Sequence, residues 1–122
     1  IVDSLIACRF VFFAAGLEEY AAVCEAVTGI ETSAQDLMAK GEMICYNERI
    51  INALNGIDST HDDLPERFFT EPGSRGDHIQ IPPLSREDFL KTRAKYYNIR
   101  GLDKNGRPCA AKARSLGLVW NT

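Results

Sequence analysis

The chain has 122 residues, of which 45% are hydrophobic and 25% are charged, as in an ordinary globular domain. A net charge of −3 excludes the broad basic surface that binding to nucleic acid or to an anionic membrane requires. No apolar run approaches the roughly 18 residues of a membrane-spanning helix. We therefore expect a single domain over residues 1–122, with neither nucleic acid nor membrane as a partner.

The first predicted element is a short apolar helix over residues 3–14, with Asp3 or Ser4 as its N-cap. Its apolar residues fall on all sides, which predicts burial on most sides. The segment lacks the basic start of a signal peptide. A sequence that opens with Ile1-Val2 instead of methionine indicates a piece of a longer protein.

The second and third predicted helices carry clear start and stop signals. The second runs over Leu17–Thr28, with Glu18 and Glu19 in its first turn and Gly29 after its end. The third covers residues 33–55, where Ser33 and Asp36 form a capping box and Asn55-Gly56 ends the helix. We expect the rest of the chain to pack around the third helix. Its predicted core face consists of Leu37, Gly41, Met43, Ile44, Ile50, Ile51 and Leu54.

Residues 57–84 lose this periodicity and contain four of the five prolines. They predict a long connector with a helical turn at 64–68 and an extended piece at 78–81. A capping box at Ser85 begins a helix to about Asn98, which is expected to bury Phe89, Leu90 and one of Tyr96 and Tyr97. Pro108 then begins a last helix that ends near 116–117. The predicted fold class is all-α, an irregular bundle of about five helices.

The four cysteines, at positions 8, 24, 45 and 109, are too far apart for a self-contained metal site. Cys24 and Cys45 are expected to be small core residues, and a reducing cytoplasm is the predicted location. His61, Asp62 and Asp63 suggest either a metal or acid–base site, or a set of caps and solvated turn residues.

The segment from Asp3 to Cys8 also has two interpretations from its residues alone. In the first, Asp3 caps a helix and Cys8 is buried. In the second, the carboxylate accepts hydrogen bonds from a ring N–H group, and the thiolate reaches a metal cluster from the other end of the same short helix.

A resemblance to a known family favours the second interpretation. The stretch DSLIACRF resembles the D-x-x-G-L-C-x-F segment of the aldehyde ferredoxin oxidoreductase family of tungsten-pterin enzymes. Further along, HDDLPERF is similar to the family's D-x-LP-x-R segment. The stretch YYNIRGLDKNGRPCAAKARSLGL is similar to its closing Tyr-Tyr, Arg-Gly-(Trp/Leu)-Asp, Gly-x-Pro and Leu-Gly-Leu pattern. The third helix shares a Gly-Glu pair and an Asn–Arg pair with the family. Together these stretches cover nearly the whole chain.

The resemblance implies roles for three residues. Asp3 matches an aspartate that hydrogen-bonds a pterin of the tungsten cofactor, and Ala7 matches a position whose backbone approaches that cofactor. Cys8 matches the cysteine that provides one ligand of a 4Fe-4S cluster. Ile6 and Ala7 depart from the motif, which has glycine and leucine there, and loss of the glycine is expected to restrict close backbone approach.

The resemblance further implies that this chain is the C-terminal domain of a parent enzyme. That enzyme would hold tungsten or molybdenum on a bis-pterin together with the cluster, and would oxidise an aldehyde to a carboxylic acid. Its partners would be ferredoxin, as electron acceptor, and the remainder of the parent chain. Alone, this chain is expected to be inactive and to hold no cofactor. The alternative is an independent helical protein-interaction domain with purely structural cysteines.

Overall fold

The computed structural model describes residues 1–74, 76 and 79–120, except for the side chains of Arg9 and Phe12. It contains two 3₁₀ turns, at Asp3–Leu5 and Arg9–Phe13. Five α-helices follow in the described residues: α1 (Leu17–Thr28), α2 (Ala34–Leu54), α3 (Arg67–Thr70), α4 (Arg86–Arg100) and α5 (Ala110–Ser115). Two short strands, β1 (Gly73–Ser74) and β2 (Gln80–Ile81), lie between α3 and α4. The predicted all-α class is confirmed.

The chain divides into two compact units, Ile1–Glu48 and Arg49–Thr122, and the division falls within α2. The N-terminal unit buries Ala21, Leu37 and Tyr46. The C-terminal unit buries four large or tightly packed side chains, those of Ile50, Tyr97, Ala113 and Trp120. The organisation of residues 1–122 as a single domain stays a prediction.

The prediction of one helix over residues 3–14 is wrong. Two 3₁₀ turns replace it, because Ile6 takes a left-handed backbone conformation that interrupts the helical hydrogen bonds between them. The expected burial is wrong as well, since the side chains of Phe10 and Phe13 are 77% and 86% exposed. An apolar pattern on all sides requires neighbours on all sides, and the N-terminal unit does not supply them.

The next two helices begin and end close to the predicted positions. Residues Leu17–Thr28 form α1, which ends at Gly29 with φ +71°. The capping box of α2 is confirmed: the Ser33 N–H donates to Asp36 Oδ2 at 2.9 Å, and the Asp36 N–H donates to Ser33 Oγ at 3.1 Å.

The core face of α2 differs in part from the prediction. Leu37 and Ile50 are buried as expected and Ile44 is half-buried, but Ile51 and Leu54 are 49% and 70% exposed. Tyr46, which the prediction omitted, is buried instead, since burial depends on what packs against the helix. The core prediction also fails for the cysteines, since Cys45 is exposed and Cys24 is only half-buried.

The long connector contains less regular structure than either neighbour. Its helical turn, α3, begins three residues later than predicted, and the Leu84 N–H donates to the Phe68 carbonyl at 2.8 Å. Strands β1 and β2 pair antiparallel, with Gly73 opposite Ile81. His78, which the extended prediction included, lies outside the described residues.

Helix α4 begins as predicted at the Ser85 cap, whose Oγ accepts from the Asp88 N–H at 3.2 Å. It ends two residues beyond the prediction, at Arg100. Tyr97 is buried and Tyr96 is 53% exposed, which decides between the two tyrosines. Phe89 is half-buried, but burial of Leu90 is wrong, since 40% of it is exposed.

The last helix, α5, begins at Ala110 instead of Pro108. Pro108 is held in a bridge with Leu102, and its carbonyl accepts from Trp120 Nε1 at 2.8 Å. Throughout the described part of the chain, the helices are too short or too polar to cross a bilayer.

Neighbouring isoleucines on α2 allow a matched test of this core. Ile50→Ala removes a side chain that is 5% exposed and is expected to lower the free energy of unfolding by roughly 2–5 kcal/mol. Ile51→Ala, at a position 49% exposed, is expected to cost less than about 1 kcal/mol. Urea denaturation of both variants measures the difference, and equal losses would contradict the assignment of the core face.

Candidate functional site

The segment that carries the predicted site residues forms a compact turn over residues 1–7. The Ile6 N–H donates to the Asp3 carbonyl at 3.1 Å, and the Ala7 N–H donates to the Val2 carbonyl at 3.3 Å. These two bonds, which close around a left-handed residue, define a Schellman motif. The motif ends the first 3₁₀ turn and sends the chain towards Cys8 in a new direction.

Ile6 is the left-handed residue of this turn, with φ +55° and ψ +32°. Glycine is the usual residue there, since a Cβ in this conformation costs about 1–2 kcal/mol and β-branching adds to the crowding. The side chain recovers no burial energy from this chain, because it is 96% exposed. The backbone therefore favours glycine at position 6, which is where the family segment D-x-x-G-L-C-x-F has its glycine.

Asp3 lies in the first 3₁₀ turn, and Cys8 directly precedes the second. Asp3 is exposed within the first 3₁₀ turn, whose N-cap position is Val2, so the predicted N-cap at Asp3 or Ser4 is wrong. Cys8 is exposed and precedes the second turn, so the interpretation of Cys8 as a buried residue is wrong. Ala7, between them, is half-buried. The sequence suggested that Asp3 and Cys8 lie at the two ends of one short helix, and this is wrong. Their role towards a cofactor stays a prediction.

The chemistry of these groups fits a partial ligand set. Cys8 offers a soft thiolate of the kind that iron–sulfur clusters use, and Asp3 offers a carboxylate that accepts N–H groups. Within residues 1–74, 76 and 79–120, no three His, Cys, Asp or Glu side chains come together as a metal site. Cluster binding through Cys8 therefore requires further ligands from elsewhere.

An apolar groove of about 470 Å³ adjoins this segment in the N-terminal unit. Its lining includes Leu5, Ala7, Val11, Tyr20, Val23 and Val27. Val23 and Val27 are 60% and 80% exposed, so the N-terminal unit leaves this apolar side of α1 largely uncovered.

The C-terminal unit contains a polar cluster, centred on Asp62. Arg49 donates to both carboxylate oxygens of Asp62, with Nη1 to Oδ1 at 2.8 Å, and Tyr97 donates its hydroxyl to Oδ2 at 2.6 Å. Arg49 Nε also donates to the Gly106 carbonyl at 2.7 Å. Arg93 donates to the carbonyl of Asp62 at 2.8 Å and to that of Ser59 at 2.9 Å.

These contacts shift the ionisation of the groups involved. Hydrogen bonding from Arg49 lowers the pKa of Asp62 below its ordinary value, against the opposing effect of partial burial. The same pair raises the pKa of Arg49. Burial, reinforced by the hydrogen bond to Asp62, raises the pKa of Tyr97 to about 12. At neutral pH the cluster is therefore a charged Arg–Asp pair with a protonated tyrosine.

Gly106 completes this cluster, and its place favours glycine. Its φ is +72°, and a Cβ would lie 2.9 Å from Tyr97 Cζ and would also overlap the Arg49 guanidinium. The close approach lets the Gly106 carbonyl accept from Arg49.

The other carboxylates of the 58–63 loop are also engaged. Asp63 accepts from Arg86 at 2.7 and 2.8 Å, and Asp58 accepts from the Thr60 hydroxyl at 2.7 Å. Hydrogen bonds from Thr60 lower the pKa of Asp58 to about 2. His61 contacts Asp58 at 3.3 Å and is exposed. The interpretation of all three residues as caps and solvated turn residues holds for the exposed His61, whereas Asp62 and Asp63 form ion pairs with Arg49 and Arg86.

Sequence reasoning missed the Asp62 cluster because its members are far apart in the chain and each has an ordinary local role. One signal was present. Arg49, Asp62, and the pair Tyr97 and Gly106 belong to three separate stretches that supported the family resemblance. The structure brings those stretches together in one hydrogen-bonded network.

A family model described as aldehyde ferredoxin oxidoreductase, domains 2 and 3, matches residues 1–118. The chain therefore belongs to the aldehyde ferredoxin oxidoreductase family. A tungsten-containing aldehyde ferredoxin oxidoreductase of Thermococcus kodakarensis is 32% identical over 121 residues, which are 98% of this chain and 19% of that protein. Proteins of the same name from Pyrococcus horikoshii and Pyrococcus abyssi are each 32% identical over 120 residues, or 97% of this chain and 19% of each relative. The chain thus spans about a fifth of the length of the curated relatives it matches.

The Asp62 cluster predicts a pH-dependent stability. Because Asp62 is more acidic in the folded state, its carboxylate stabilises the fold above the ordinary pKa of 3.8, and this contribution is lost as the pH falls through the lower folded value. Asp62→Asn leaves the Arg49 charge without its partner and is expected to lower the free energy of unfolding by about 2 kcal/mol at neutral pH.

The control is Asp63→Asn, which breaks a more exposed ion pair with Arg86 and is expected to cost much less. Urea denaturation from pH 7 to 3 makes the comparison. Equal losses in the two variants, or an Asp62→Asn variant with the parent's full acid dependence, would contradict the assignment.

Proposed function

We propose that this chain is the C-terminal domain of a tungsten-pterin, iron–sulfur aldehyde:ferredoxin oxidoreductase. The observation that carries the proposal is the family match over residues 1–118, combined with the exposure of Asp3 and Cys8 near the start of the chain. When bound, the metal–pterin group and the cluster supply the two-electron oxidation of an aldehyde to a carboxylic acid and the transfer of the electrons to ferredoxin.

Three residues of this chain hold those groups in the proposal. Cys8 binds iron through Sγ as one of the four protein ligands of a 4Fe-4S cluster. Asp3 accepts hydrogen bonds from pterin N–H groups, and the half-buried backbone at Ala7 lies against the same cofactor. The exposed positions of the Cys8 thiol and the Asp3 carboxylate support this assignment, because each side chain is accessible to a group outside the chain.

The remainder of the parent chain is the proposed partner of the N-terminal unit. Phe10 and Phe13 are 77% and 86% exposed, and the groove along α1 is apolar. Covering this surface would remove apolar area from water and would exclude water from the neighbourhood of Cys8. Either tungsten or molybdenum fits the proposal. The proposed location of the enzyme is the cytoplasm.

A second candidate, an independent helical interaction domain, is favoured by the same exposed apolar surface. It differs from the first in requiring no metal and in giving Cys8 no special role.

The two candidates predict different effects of Cys8→Ser in the longer parent protein, produced without oxygen. A serine hydroxyl is a poor ligand for cluster iron, so the variant is expected to lose the cluster, which iron analysis and the visible absorption of the cluster measure. Cys45→Ser replaces another exposed thiol and should leave the iron content unchanged.

Iron retained at the parent level in Cys8→Ser would favour the interaction domain. Residues 1–122 alone serve as a further control: they are expected to bind no stoichiometric iron, and Cys8→Ser should leave their melting temperature nearly unchanged because the side chain is exposed.

Asp3→Asn tests the proposed contact with the pterin. The amide keeps the shape of the side chain but removes the charge and one acceptor oxygen, so cofactor content is expected to fall while the iron content stays the same. Tungsten and pterin analysis of the purified protein measures the loss. Glu18→Gln, a charge removal in the first turn of α1, is the control and should retain full cofactor content. Unchanged tungsten in Asp3→Asn would remove Asp3 from the proposed site.

A further inference from the structure

Ile6 combines two features that rarely occur together in one residue. Its backbone is left-handed, the only described non-glycine position with this conformation, and its β-branched side chain is 96% exposed. The conformation is costly, and the side chain receives no packing in return from the described residues. The backbone geometry itself is therefore the feature of Ile6 that the local structure uses.

That geometry sets the path of the chain between Asp3 and Cys8. The left-handed residue allows the Ile6 N–H to reach the Asp3 carbonyl and the Ala7 N–H to reach the Val2 carbonyl. With both bonds in place, Asp3 is a residue of the turn. The backbone becomes extended at Cys8, with φ −65° and ψ +121°. If residue 6 had a right-handed helical backbone, the 3₁₀ turn would continue and Cys8 would lie on a different side of that turn.

We propose that Ile6 is a positioning residue, which fixes the direction of the Cys8 thiol relative to Asp3 through the left-handed turn. The inference rests on the proposed function, since it concerns the geometry of the two groups assigned there to a cluster and a pterin. Ile6 acts through its backbone and not through contact with either group, so glycine should replace it and proline should not. Proline fixes φ near −65° and has no N–H to donate to Asp3.

The first experiment examines the turn in residues 1–122 by amide hydrogen exchange. Ile6→Gly relieves the strain at some entropic cost and is expected to raise the protection of the Ala7 amide by about two- to five-fold. Ile6→Val keeps a β-branched residue and should leave the protection as in the parent. If Ile6→Gly and Ile6→Val both matched the parent, residue 6 would not control the turn, and the proposal would be overturned.

The second experiment examines cluster geometry in the longer parent protein, by electron paramagnetic resonance of the reduced cluster. The orientation of a ligand affects the electronic properties of the metal group it holds, so Ile6→Pro is expected to shift the g-values or to abolish the signal. Ile6→Gly should retain the parent spectrum and iron content. Ala34→Pro, at the first position of α2, where proline is tolerated, is the control for proline itself.

The outcomes separate this inference from the proposed function. An unchanged spectrum in Ile6→Pro, or an equal shift in Ile6→Gly, would overturn the positioning role while loss of the cluster in Cys8→Ser still supported the proposed function. If Cys8→Ser retained the cluster, the proposed function itself would fail. If Ile6→Pro did not accumulate as folded protein, the exchange measurement on Ile6→Gly and Ile6→Val would decide.

Discussion

The C-terminal unit depends on the ion pair between Asp62 and Arg49. Their side chains are 27% and 17% exposed, so each charge has lost much of its hydration and requires the other. Asp62 lies in the loop after α2 and also accepts from Tyr97 of α4, while Arg49 of α2 also donates to Gly106, 57 residues further on. One carboxylate and one guanidinium thereby fix two loops against two helices. Glycine is favoured at position 106 because its φ is positive and a Cβ would approach both Arg49 and Tyr97 too closely.

The proposed site lies in a segment with a different kind of support. Residues 1–7 are held by backbone hydrogen bonds of one short turn, and its left-handed Ile6 is strained. The apolar residues that follow, Phe10 and Phe13, are mostly exposed. Chemical groups that bind a partner or a cofactor must be accessible, and accessible segments have few internal contacts to hold them. A turn of defined geometry is one way to orient Asp3 and Cys8 without burying them.

Local signals predicted much of the fold. The glycine after α1, the capping box at Ser33 and the N-cap at Ser85 act within a few residues. The helices they delimit were therefore predicted nearly to the residue. Predictions that needed distant neighbours were less accurate. Periodicity did not show that Ile51 is half exposed or that Tyr46 is buried, because burial depends on what packs against the helix. For the same reason, the apolar composition of residues 3–14 wrongly predicted a buried helix.

The sequence by itself determined the helical class, the caps that begin and end the main helices, the family resemblance, and the choice of Asp3, Ala7 and Cys8 as candidate site residues. Only the tertiary structure decided that Cys8 is exposed and that Arg49, Asp62, Tyr97 and Gly106 form one network. The physical reason is range: a cap or a motif acts over a few residues, whereas burial and ion pairing depend on residues that only folding brings together.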